Sequence, residues 1–64
     1  MQQVNQQEQL LTIQGVARML QVSRPTVYVL MARDGLPYLK IGKSLRFSLS
    51  SVRTWLAEHE RVIG

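Results

Sequence analysis

Cysteine is absent from the 64 residues, and histidine and tryptophan occur once each, as His59 and Trp55. No disulfide can staple such a chain, and a reducing compartment is its simplest setting. A zinc site built from one imidazole and scattered carboxylates would have too few good ligands. Long apolar runs are missing as well, so no segment approaches the roughly eighteen residues that a membrane span requires. A basic start followed by an apolar stretch is also lacking, and no signal peptide is expected. Catalytic groupings are equally scarce: there are no paired carboxylates, no histidine-based triad and no metal-spaced set. The glycines of "GLPYLKIG" are too far apart for a phosphate loop. The expectation is a chain that is not an enzyme and needs no cofactor, small-molecule substrate or membrane.

Acidic residues are the next scarcity. Four Asp and Glu stand against eight Lys and Arg, for a formal net charge of +4. Glu8, Glu58 and Glu60 lie near the ends, which leaves Asp34 alone among Arg18, Arg24, Arg33, Lys40, Lys43, Arg46 and Arg53. Such a middle is the electrostatic footprint of a protein that meets phosphates. Net charge speaks to non-specific attraction and not to fold, so a basic chain whose charge merely prevents association remains open here.

A chain of this length makes one domain with a core barely large enough to hold it. "MQQVNQQEQ" is polar, glutamine-rich and aperiodic, and reads as a flexible arm over residues 1–9. From there the pattern changes. Ile13, Val16, Ala17 and Leu20 recur at i, i+3, i+4 and i+7, the stripe of a short amphipathic helix. Thr12 is its N-cap, although Gly15 takes the third helical position, where a capping box would have Glu or Gln. Gln21 and Val22 interrupt the stripe, and Ser23 offers a second cap. Pro25 then falls in a first helical turn, where its missing N–H costs little.

In this second helix Val27, Leu30 and Met31 face inward, while Pro25, Val29 and Ala32 point away, with Tyr28 and Arg33 at the edges. That outward face is small and apolar, and suits a surface that displays both methyl groups and phosphates. Asp34-Gly35 ends the helix and Pro37 follows as a stop. "YLKIGKSLRF" alternates on both sides of Gly42-Lys43-Ser44 and predicts a β-hairpin. Leu39, Ile41, Leu45 and Phe47 are assigned to its apolar side, and Lys40, Lys43 and Arg46 to its basic side or tip. Ser48 caps a third helix in which Val52, Trp55, Leu56 and His59 share the inner face. The fold class is mainly α with a small β-hairpin, in the order α-α-β-β-α. The domain spans residues 10–60, with a tail over 61–64.

Two short helices joined by a tight turn, the second with an uncharged outer face, form a helix-turn-helix, and a basic hairpin directly after it is a wing. The stretch "LTIQGVARMLQVSRPTVYVLMARDGLPYLKIGKSLRFSLSSVRTWL", Leu11 to Leu56, resembles the small winged helix-turn-helix proteins of the excisionase family, relatives of the MerR DNA-binding domain. The resemblance rests on "LT", "VA", "VS", "TVY", "LP", "IGKSLRF" and "VRTWL" in register. It departs at Gly15, where Glu is usual, at Val29, where Arg or Lys is common, and at Ser51, where Asp usually helps start the last helix. The Val29 change removes one contact and shifts the burden of recognition to Arg24, Tyr28 and Arg33.

The resemblance implies a bacterial, cytoplasmic, DNA-binding protein of phages, plasmids or integrative elements. Its role would be that of a recombination directionality factor partnering a tyrosine integrase, or of an AlpA-type transcriptional regulator. From a different class, a protein–protein adaptor such as a terminase small-subunit fragment would use the apolar face of the second helix for docking. The candidate DNA contacts are Arg24, Pro25, Thr26, Tyr28, Val29 and Arg33 on the recognition helix and Arg18 as a backbone anchor. Lys40, Lys43, Ser44 and Arg46 form the wing set. Arg24 is placed to pair with a guanine edge or a phosphate, and Pro25 and Val29 to touch thymine methyls. Thr26 and Tyr28 each have a second reading, as a helix-start hydroxyl bonding its own backbone and as a packed ring. Trp55 and His59 are assigned to structure. One module covers a short site, so several copies are expected side by side on duplex DNA, touching through the wing, the termini or both.

Overall fold

The computed structural model describes residues 9–63, with side chains described from 9 to 60, so all of the expected arm except Gln9 lies outside the described residues. Six elements follow one another: β1 (Leu10–Leu11), α1 (Ile13–Leu20), α2 (Arg24–Arg33), β2 (Leu39–Ile41), β3 (Ser44–Ser48) and α3 (Leu49–Ile63). The expected α-α-β-β-α order is present, with one short strand added in front of it. β1 runs antiparallel to β3, pairing Leu10 with Ser48 and Leu11 with Phe47, and gives a three-stranded sheet of order β1-β3-β2. The Leu49 amide donates to the Gln9 carbonyl at 2.8 Å and extends this closure by one residue. A two-residue strand is too short to show period-two alternation, so periodicity could not reveal it.

Each helix begins where a hydroxyl is available to receive an amide that has no helical partner. The Gly15 N–H donates to Thr12 Oγ1 at 3.1 Å, the Thr26 N–H to Ser23 Oγ at 3.3 Å, and the Ser51 N–H to Ser48 Oγ at 3.3 Å. Between α1 and α2 the chain turns on Gln21, which adopts the left-handed conformation at φ 61° and ψ 45°. The Gln21 N–H then reaches the Arg18 carbonyl at 3.2 Å and the Val22 N–H the Ala17 carbonyl at 3.0 Å. This is the Schellman pattern, and it includes an apolar residue after the turn, Val22, which packs against the core. The turn therefore aims α2 as well as ending α1.

Val16, Ala17, Val27, Leu36, Phe47 and Val52 form the buried core, and no polar side chain is buried among the described residues. Leu36 lies between Gly35 and Pro37, outside any periodic window, yet is only 1% exposed. Gly35 explains the placement: at φ 72° it reverses the chain, and the Asp34 and Leu36 amides both return to the Leu30 carbonyl, at 2.9 and 3.2 Å. α3 is pinned to this same corner by the Trp55 indole, whose Nε1–H donates to the Asp34 carbonyl at 2.8 Å. His59 lies over Trp55, with ring centroids 4.3 Å apart, and its Nδ1 is 2.9 Å from the Trp55 carbonyl. A carbonyl only accepts, so Nδ1 carries the hydrogen. Leu56, assigned to the inner face, is 38% exposed instead, because it lies about 40° around the helix from Val52 toward the open side.

The hairpin corrects the expected faces. Its turn has two residues, Gly42 and Lys43, with positive φ at Gly42 (62°), the position where a type II′ turn needs it. The register pairs Leu39 with Arg46, Lys40 with Leu45 and Ile41 with Ser44. A three-residue turn would have paired Ile41 with Leu45, and one residue of slip moves a strand's side chains to the other face. Leu39 and Ile41 consequently share the outer face with Arg46. Leu45 and Phe47 face the core, and Lys40 has their parity.

Candidate nucleic-acid interface

Capping, turn chemistry and packing together decide what α2 shows to solvent. Val27 is fully buried, while Leu30 and Met31 are half-buried against the core. This inward stripe leaves Arg24, Pro25, Tyr28, Val29, Ala32 and Arg33 exposed. Tyr28 is 53% exposed and Val29 44%. The face thus runs from a guanidinium at the helix start, over a proline ring, a phenol and a valine, to a second guanidinium in the last turn. Carboxylates do not occur within it.

Thr26 differs from its neighbours. It is half-buried, its amide bonds Ser23 Oγ, and the two hydroxyls lie 2.9 Å apart. Its hydroxyl therefore pairs with the Ser23 hydroxyl and not with its own backbone, and one O–H of the pair remains to donate to an outside acceptor. Arg18 is exposed in the last turn of α1, on the helix that packs against both α2 and β3.

In the wing, Lys43 and Ser44 are exposed at and beside the turn, and Lys40 is exposed on the edge strand. Arg46 is half-buried, and its Nη1 donates to the Leu45 carbonyl at 2.8 Å. Lys40 and Arg46 project from opposite faces, so the four wing residues do not make one continuous basic side. Alternation also failed to flag three exposed neighbours, Tyr38 (50%), Leu39 (45%) and Ile41 (53%). The two-residue turn at Gly42-Lys43 is what exposes two of them, Leu39 and Ile41.

Arginine at both ends of an uncharged helix face, with the core behind it, makes a shape that can enter a groove and neutralise the phosphates on either side. A family model described as a helix-turn-helix domain matches residues 10–60, and the chain belongs to that family of small DNA-binding domains of the excisionase and AlpA type. Neither a curated protein nor a solved structure matches the chain. No helix among the described residues is long and apolar enough to cross a membrane.

Proposed function

We propose that this chain binds duplex DNA sequence-specifically, with α2 in the major groove and the β2–β3 wing on the flanking backbone, as a recombination directionality factor. In that role it would occupy repeated sites side by side, bend an attachment site and assist a tyrosine integrase in releasing a mobile element. The observation that carries the reading is the family match together with the carboxylate-free outer face of α2. Arg24 reads a base or holds a phosphate, Pro25 and Val29 meet thymine methyls, and Tyr28 and Arg33 reach phosphates. Arg18 anchors the backbone from α1, and Lys40, Lys43, Ser44 and Arg46 contact it from the wing. The same domain type serves AlpA-type transcriptional regulators of mobile elements, so the regulatory reading is the second one.

A salt-titrated binding assay against the DNA upstream of its own gene tests the core of this proposal. Arg24→Ala should cost about 1–3 kcal/mol and relax site preference if the side chain reads a base. An unchanged preference would remove Arg24 from that role. Excision assays with and without a neighbouring integrase separate the two biological readings: dependence on this protein supports the directionality factor, and promoter control without any effect on excision supports the regulator.

A further inference from the structure

Val52 and Trp55 hold α3 to the body along one side, and the adjacent side carries a second stripe. Arg53, Leu56, Ala57 and Glu60 recur at i, i+3, i+4 and i+7, which places them on one helical face. All four are exposed. With Leu30 and Trp55 they border an open cleft of about 630 Å³. None of the outward residues of α2 lines it, so this surface is distinct from the one assigned to DNA.

The order of chemistry along the stripe is cation, apolar, apolar, anion. A face of that kind is complementary to itself when read backwards. Set a second copy antiparallel, with a two-fold axis between Leu56 and Ala57, and Arg53 of each chain faces Glu60 of the other, while each Leu56 meets an Ala57. Such an isologous contact is self-complementary by symmetry. A parallel pair would instead oppose arginine to arginine and glutamate to glutamate. The small Ala57 lets the helix axes approach, and the cleft beside Leu30 and Trp55 gives the other copy's Leu56 an apolar seat. We infer that this seam of α3 is a self-association surface whose occupant is a second copy of the same chain, arranged antiparallel.

Two helical turns bury less than the roughly 1,000 Å² that a stable interface needs, so the pair is weak and reversible in free solution. It is populated at high protein concentration, and holding two copies on one DNA would raise their effective concentration and populate it further. The contact differs from the wing and the termini, the other surfaces through which neighbouring copies are expected to touch.

Sedimentation equilibrium of the full chain, over a concentration series in low-salt buffer without DNA, tests the seam independently of any DNA reading. The wild type should show a reversible monomer–dimer equilibrium. Arg53→Glu and Glu60→Arg each set like charges together and should weaken association by about tenfold or more. The double variant R53E/E60R keeps the net charge of the wild type and should return association to the wild-type level. All four side chains are exposed, and thermal melts of each variant should confirm an unchanged fold. A wild type that stays monomeric throughout overturns the inference, and so does a double variant as weak as its parents.

Discussion

Gln21 is the only non-glycine residue at positive φ among the described residues. An L-residue in the left-handed region costs about 1–2 kcal/mol, and the two amide bonds of the Schellman turn offset that cost here. Gln21→Gly should therefore raise stability by about 1 kcal/mol, read as a higher urea midpoint at unchanged slope. Gly15 presents the opposite case. A Cβ there would sit 3.5 Å from Thr12 Oγ1 and 3.6 Å from Leu11 Cβ, ordinary contact distances in a helical backbone. Gly15→Ala should stabilise by about 0.5–1 kcal/mol, with DNA affinity unchanged, since the position faces β1 and not α2. At this scale the sequence was most informative where a residue has one local job. Thr12, Ser23 and Ser48 cap as their positions imply, and Pro25 starts α2. Leu36 was hidden because its burial depends on the path that Gly35 sends it along, which no periodicity encodes.

At the level of elements, helices were legible and strand faces were not. The stripes of α1 and α2 repeat over enough residues to define a direction, whereas β2 and β3 depend on one turn for their register. A turn at Gly42-Lys43-Ser44 would place Leu39 and Ile41 on the core side, whereas the Gly42-Lys43 turn places them outside with Arg46. The difference is measurable. Ile41→Ala, at a 53%-exposed position, should change stability by no more than about 0.5 kcal/mol. In the slipped register, with Ile41 packed inward, the same substitution would cost about 2–5 kcal/mol. Phe47→Ala is the positive control: its ring is fully buried, the expected loss is about 3–5 kcal/mol, and a domain this small would be largely unfolded by it. The candidate site divides in the same way. Its α2 members, Arg24, Pro25, Tyr28, Val29 and Arg33, share the exposed side that the helical period assigns them. Its wing members are split between two faces and a tip.

Across the whole molecule, the cations among the described side chains fall on α1 (Arg18), α2 (Arg24, Arg33), the hairpin (Lys40, Lys43, Arg46) and α3 (Arg53), around a small core. If Arg18, Arg24, Arg33, Lys40, Lys43 and Arg46 all neutralise phosphates, log K against log salt should fall with a slope approaching about −5, at about −0.9 per phosphate. Lys43→Ala should flatten that slope by about one unit, weaken all sequences alike and leave stability unchanged, because the side chain stands free at the hairpin tip. Arg46→Ala should flatten the slope as well, but with a loss of stability, since its guanidinium is half-buried against the Leu45 carbonyl. Arg53→Ala, on the α3 seam and outside the candidate DNA set, should leave the slope of a single-site duplex as it was. A footprint that does not contract when Lys43 is removed would place the wing away from DNA, and the same three titrations would then show which cations carry the binding.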